Sequence, residues 1–233
     1  MMEGIETIKI FDISERTNSD MGNHKNPTYF CTWNNSTLTL SSGDSHFGFV
    51  YSGEITLTYE EMDFTLKEGM YFCVPGKGFL KGTGSGFVAS RIDVKCYFMV
   101  GGPVESEGRL KYINGCSDSL LIQPVLKGYP CFNFLHIPAN VNQTAHTHPS
   151  VRIGLIISGQ GICTTPNGNL DLLPGKIFIL PEDSVHSFHT RENFLRIVVY
   201  HPDSDFGPTN DDHPMLNRTI IDGVSAKRSQ GSQ

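Results

Sequence analysis

Two short segments of the sequence contain histidines at a spacing that suits metal binding. Residues 145–152 include His146 and His148, and residues 181–186 run from Pro181 to His186. Histidines at positions i and i+2 of an extended segment point to the same side of the chain. A third histidine just beyond a turn can meet them across a small β-barrel. We therefore expect three imidazoles to converge and to bind a divalent transition metal.

The elements that must position these histidines repeat within the chain. Three dipeptides recur at a constant offset of 106 positions: Ser52-Gly53 as Ser158-Gly159, Glu68-Gly69 as Pro174-Gly175, and Val74-Pro75 as Leu180-Pro181. Between them, polar and apolar residues alternate, as in Glu54–Tyr59, which is typical of half-buried antiparallel strands. Helical periodicity is almost absent. We predict an all-β chain with one unit at residues 1–105, a second at 106–205, and a C-terminal extension and tail at 206–233.

The second unit carries two motifs that resemble those of the cupin superfamily. His146 and His148 match its H-x-H motif, with Gly159 at the expected distance, and Gly175, Pro181 and His186 match its second motif. The whole chain resembles a two-cupin (bicupin) protein. This resemblance implies two double-stranded β-helix (jelly-roll) barrels in tandem, with His146, His148 and His186 as the metal ligands.

The position where cupins usually supply a glutamate ligand is Arg152 in this sequence. A guanidinium stays protonated and cannot bind a metal, but it binds carboxylates through paired hydrogen bonds. Arg152 shares strand parity with the two histidines, so we predict that it faces the same cavity and anchors an anionic substrate. The alternative is that Arg152 leans outward to a surface acid.

The first unit provides an internal comparison for the metal site. Positions 106 residues before the three predicted ligands hold Leu40, Ser42 and Leu80, and His46 corresponds to Arg152. None of the ligands is retained, so we expect the first barrel to be structural or to mediate dimerisation. Its aromatic residues suit a packed interior or an interface: Phe47, Phe49, Tyr51, Tyr71 and Phe72.

Imidazole ligands suit several metals, so the ligand type leaves Fe(II), Zn, Ni, Cu and Mn open. Some cupins keep three histidines and lack the glutamate, and resemblance to them favours Fe(II) as the metal. The same resemblance implies that the protein is an enzyme, namely a dioxygenase that acts on a small anionic organic molecule. Two alternatives stay open. One is a metal-dependent isomerase, lyase or epimerase of a small metabolite, and the other is a cupin that binds a ligand without catalysis.

The sequence does not assign a role to several further residues near the predicted site. His136, His189, His201 and His213 are candidates for the cavity wall, the solvent-facing surface or a lid over the site. Gln143, Phe188 and Tyr200 are candidate pocket-lining residues.

Composition narrows the class of partner. The net charge is −6 and no run of three or more consecutive Lys or Arg occurs, which argues against nucleic acid or an anionic membrane as a partner. The first 17 residues contain Glu3, Glu6 and Asp12 and no apolar run, so we expect no secretory signal. The six cysteines form no C-x-x-C pair, so we expect free thiols in a cytoplasmic protein. We also predict that the protein forms a homodimer.

Overall fold

A computed structural model describes residues 7–15, 17–20, 25–209, 211, 213 and 215–230. Glu3 and Glu6, which the sequence argument about the N-terminus used, lie outside these residues, as do residues 231–233 of the predicted tail. Almost all regular structure in the described part is β, which confirms the predicted fold class.

The strands of the first half follow one another at short intervals along the chain. They are β1 Lys9–Asp12, β2 Asn18–Asp20, β3 Thr28–Asn34, β4 Leu38–Leu40, β5 Ser45–Ser52, β6 Glu54–Tyr59, β7 Met62–Lys67, β8 Tyr71–Pro75, β9 Gly78–Gly82, β10 Ser85–Arg91 and β11 Met99–Gly101.

The second half has a similar series, followed by a short C-terminal extension. The strands are β12 Leu110–Lys111, β13 Ser117–Ile122, β14 Cys131–Ile137, β15 Arg152–Gly159, β16 Gly161–Thr165, β17 Gly168–Leu172, β18 Lys176–Leu180, β19 Ser187–His189 and β20 Leu195–His201. A 3₁₀ turn spans Ile113–Gly115, and the extension forms β21 Ile220–Ile221, β22 Val224–Ser225 and helix α1 Ala226–Gln230. No helix of the described residues is long and apolar enough to cross a membrane.

Each half combines one large and one small antiparallel sheet. The large sheets have the strand orders β11-β8-β5-β10-β3-β2 and β1-β18-β15-β20-β14-β13-β12. The small sheets are β4-β9-β6-β7 and β17-β16-β19. Each half has its own apolar core, which draws residues from both of its sheets. A third core joins the two large sheets to each other.

Strand alternation explains how one strand serves two cores. On β5, Phe47 and Phe49 enter the core between the halves, whereas Val50 enters the core of the first half. On β15, Ile153 enters the core between the halves and Ile156 the core of the second half. Successive side chains of a strand point to opposite faces, so both faces of each large sheet are buried. The large sheet of the first half thus covers the large sheet of the second half within one chain.

The remaining aromatic residues predicted for the first half divide between the same two cores. Tyr51 and Tyr71 pack against the core between the halves, and Phe72 lies in the core of the first half. All six cysteines of the chain are buried.

The repeated glycines are needed for backbone conformation. Gly53 and its counterpart Gly159 have φ angles of 74° and 77°, and Gly69 and Gly175 have 81° and 82°. A positive φ is strained for residues with a Cβ atom. The repeat therefore preserves the same two turns in both halves.

Strand β1 lies early in the chain but adds to the sheet of the second half. Lys9–Asp12 pairs antiparallel with β18, and β11 takes the equivalent place beside β8 in the first half. The ammonium of Lys176 also donates a hydrogen bond of 3.1 Å to Asp12. Residues 9–12, which the predicted division assigns to the first unit, thus pair with the second.

Candidate metal centre

The predicted ligands His146 and His186 meet through a backbone bridge. His146 N–H donates to the carbonyl of His186 at 2.9 Å, and His186 N–H donates to the carbonyl of His146 at 3.0 Å. At the 106-residue offset these positions correspond to Leu40 on β4 and Leu80 on β9. The bridge thus fills the place of a strand pairing in the first half.

The three imidazoles converge as the spacing predicted. One ligand atom from each of His146, His148 and His186 lies within 4.8 Å of the others, and the ring centroids are 4.5–5.1 Å apart. Within the described part of the chain, this is the only group of three or more potential His, Cys, Asp or Glu ligands.

Hydrogen bonds orient two of these rings. Nδ1 of His146 lies 2.8 Å from the carbonyl oxygen of Thr144, and Nδ1 of His186 lies 2.9 Å from that of Ser184. A carbonyl only accepts, so Nδ1 of each ring carries the proton and Nε2 keeps its lone pair. Nε2 of His186 is buried without a hydrogen-bond partner. An orphaned acceptor of this kind beside two other imidazoles suits a metal ion.

Burial keeps two of the imidazoles neutral. It lowers the pKa of His148 to about 3, with a further contribution from the charge of Arg152. Burial likewise lowers the pKa of His186 to about 4, although the bond to the Ser184 carbonyl opposes the shift. A metal ligand must be deprotonated, so these side chains are in the required form at neutral pH.

Arg152 lies in the same cavity as the histidines and is only 7% exposed. It begins β15, where it pairs with Leu180. Its Nη1 donates to the carbonyls of Ser150 and Val151 at 3.0 and 3.1 Å and contacts the Ser150 hydroxyl. Nη1 is 3.8 Å from Asp203, whereas Nε is buried without a partner. The guanidinium thus has a carboxylate neighbour and also an unused donor.

The cavity has a volume of about 240 Å³ and contains residues that the sequence did not single out. Leu110, Lys111 and Tyr112, from the start of the predicted second unit, form part of its wall. Asp118 and Asn133, on adjacent strands β13 and β14, form another part. The signal available for Asp118 was an acidic residue close to the apolar run Leu120–Ile122. The apolar wall consists of Leu135, Phe178, Leu180, Phe188 and Val199.

Of the other four candidate histidines, one lines the cavity and three lie elsewhere. His201 lines the cavity, and burial lowers its pKa well below the usual value. His136 is buried beside Phe194, with ring centroids 6.1 Å apart, and does not line the cavity. His189 bonds to Ser187 and Asn142, outside the cavity. His213 is exposed in the C-terminal extension.

The candidate pocket-lining residues fall into two groups. Gln143 and Phe188 line the cavity. Tyr200 does not, because its ring enters the core between the halves, 5.4 Å from the ring of Phe47.

The corresponding place in the first half has no such cluster among the described residues. His46, the counterpart of Arg152, is buried, and both its ring nitrogens have partners. Nδ1 lies 2.7 Å from the Ser90 hydroxyl, and Nε2 lies 3.0 Å from the Ser41 carbonyl. His46 therefore serves the packing of the first half.

Comparison with known proteins supports the architecture. Residues 136–211 match the family described as the AraC-like ligand binding domain. Comparison with curated protein sequences finds no significant match.

Solved structures resemble almost the whole chain. A salicylate 1,2-dioxygenase from Pseudaminobacter salicylatoxidans has a TM-score of 0.62 at 10% identity, covering 83% of this chain and 84% of the other. A cupin 2 conserved barrel domain protein from Leptotrichia buccalis has a TM-score of 0.59 at 9% identity, covering 86% and 91%. The Ylba protein from E. coli has a TM-score of 0.58 at 19% identity, covering 84% and 83%. At these identities the similarity concerns the fold, and the chain therefore has the cupin fold.

Proposed function

We propose that this protein is an iron(II)-dependent oxygenase that acts on a small anionic organic molecule. The observation that carries the proposal is the convergence of His146, His148 and His186 around the orphaned Nε2 of His186. Three neutral imidazoles leave a dication its full charge, which favours an anionic substrate. Similarity in fold to a salicylate dioxygenase supports the reaction type. Zn, Ni, Cu and Mn also accept imidazole ligands.

In this proposal, residues of the chain bind and orient the substrate. Arg152 donates hydrogen bonds to the substrate carboxylate, using N–H groups that its contacts with Ser150 and Asp203 leave free. Phe178 and Phe188 form an apolar wall that holds the substrate and limits water. Iron(II), when bound by the three histidines, supplies Lewis-acid polarisation and a common binding place for substrate and oxygen.

A second candidate function is ligand binding without catalysis. The match of residues 136–211 to an AraC-like ligand binding domain favours it. In that case the cavity beside Arg152 binds an anionic metabolite, and no oxygen is consumed.

The homodimer and the cytoplasmic location remain predictions from the sequence.

Metal analysis and oxygen uptake test the proposal. We expect His186→Ala to lose bound iron. Arg152→Ala should keep the iron and bind gentisate, the compound present in one solved structure of the salicylate dioxygenase, about tenfold to a hundredfold more weakly, since a charged hydrogen bond contributes about 1.5–3 kcal/mol. His189→Ala is a matched control, because this histidine of the same half lies outside the cavity.

Full iron occupancy in His186→Ala would refute the ligand assignment. Wild-type protein that binds gentisate and iron but takes up no oxygen with any hydroxybenzoate tested would favour the binding function.

A further inference from the structure

Asp118 supplies the cavity with a carboxylate that does not belong to the histidine cluster. It lies on β13 opposite Leu135 of β14, and both residues line the cavity. The amide Nδ2 of Asn133 donates a hydrogen bond of 2.8 Å to Asp118 Oδ1. Asn133 lines the cavity as well, so it fixes the carboxylate at the wall.

The surroundings of Asp118 favour its uptake of a proton. It is the one carboxylate among the described residues lining the cavity, which also contains Arg152 and Lys111. Burial raises the pKa of Asp118 to about 6, although the hydrogen bond from Asn133 opposes the shift. The other titratable groups that interact electrostatically with it are Tyr112 and Cys131. The carboxylate is thus ionised at neutral pH but close to its protonation range.

We propose that Asp118 is the proton acceptor for a ligand hydroxyl group that binds at the metal centre. The O–H bond of the ligand breaks, its proton moves to the Asp118 carboxylate, and the ligand keeps the electron pair as an oxyanion. Asp118 becomes a neutral carboxylic acid, which removes the repulsion between two adjacent anions. Asn133 acts as a positioning residue. This inference rests on the proposed metal site but not on oxygen chemistry.

Proton counting by calorimetry tests this role without measuring turnover. The probe is acetohydroxamic acid, a small neutral chelator with one acidic hydroxyl group, added to zinc-loaded protein near pH 7. Titrations in two buffers of different ionisation enthalpy give the number of protons released on binding. We expect about zero for the wild type, where Asp118 retains the proton, and about one for Asp118→Asn, where the buffer receives it.

Two further variants control for structural effects. Asp118→Glu keeps a carboxylate and is expected to restore retention of the proton. Asp171→Asn changes an exposed carboxylate of the same half outside the cavity, and we expect it to behave as the wild type. If Asp118→Asn does not bind the probe near pH 7, binding must return near pH 9, where bulk base removes the proton.

The outcomes separate this role from the function of the site. Equal proton counts for the wild type and Asp118→Asn would overturn the role of Asp118, as would failure of Asp118→Asn to bind the probe near pH 9. Zinc-loaded wild type that does not bind the probe would also overturn it. A wild-type protein that takes up no metal would overturn the proposed function itself.

Discussion

Gly154 lies beneath the ring of Phe178, so adding one methyl group at this position should disturb the metal centre. A Cβ atom on Gly154 would lie 2.1 Å from Cζ of Phe178. Ordinary contact begins at 3.4 Å, so the ring must retreat by about 1.3 Å. Phe178 packs against Phe188, and Phe188 packs against His186, each at 5.5 Å between ring centroids. Movement of the Phe178 ring should therefore shift Phe188 and, through it, the predicted metal ligand His186.

The first half offers a matched control for this change. A Cβ atom on Gly48 would lie 2.0 Å from Cζ of Phe72, whose ring neighbour is Trp33 at 6.4 Å. Overpacking of a core costs about 1–3 kcal/mol, so Gly154→Ala and Gly48→Ala should lose similar stability. Only Gly154→Ala should weaken metal binding, by about tenfold or more, as changes next to metal ligands do.

Urea denaturation of the metal-free variants measures the first effect, and competition with a chromophoric chelator measures the second. A Gly154→Ala variant as stable as the wild type would contradict this prediction, because the ring then yields without cost. A Gly48→Ala variant that weakens metal binding as much as Gly154→Ala does would also contradict it, because the loss would then be a general effect of reduced stability.

Two further predictions concern stability. Because burial raises the pKa of Asp118 to about 6 from its usual value of 3.8, the unfolded state loses its proton first and stability falls as the pH rises from about 4 to 6. Asp118→Asn should abolish this fall, and its free energy of unfolding near pH 7 should exceed that of the wild type by up to about 2 kcal/mol after allowance for partial exposure. Urea denaturation of both proteins near pH 4 and near pH 7 measures this. The same change in the free energy of unfolding between the two pH values in both proteins would contradict it. Buried Arg91 donates to the Pro202 carbonyl at 3.2 Å and to Asn26 Oδ1 at 3.0 Å, so Arg91→Leu should lower the free energy of unfolding by about 1.5–3 kcal/mol. Exposed Arg109→Leu should lower the free energy of unfolding much less than Arg91→Leu, and equal losses in the two variants would refute the role of burial.

Features that depend on short stretches of sequence could be predicted. The i, i+2 spacing of His146 and His148 and the turn before His186 placed three imidazoles together, as the structure has them. The recurrence of Gly53 as Gly159 predicted equivalent turns, because only a residue without Cβ adopts their positive φ at low cost. Strand alternation likewise predicted the all-β class and the inward direction of Arg152.

Features that depend on strand order could not be predicted. Asp118, Asn133 and Tyr112 are distant from the histidine motifs in sequence and reach the cavity only because β13 and β14 lie in the same sheet as β15. The pairing of β1 with β18 joins segments more than 160 residues apart, and no local pattern encodes such an edge contact. Tyr200 was a candidate for the cavity but enters the core between the halves, because the packing of the two large sheets decides which strand faces are covered.

Residue types and their spacing therefore suffice to predict the fold class and the convergence of the three histidines, since backbone conformation and strand face follow from them. The surroundings of those histidines depend on tertiary packing: the carboxylate of Asp118, the partners of Arg152 and the ring of Phe178 over Gly154. These contacts arise from the order and packing of the sheets, which bring together residues that are far apart along the chain.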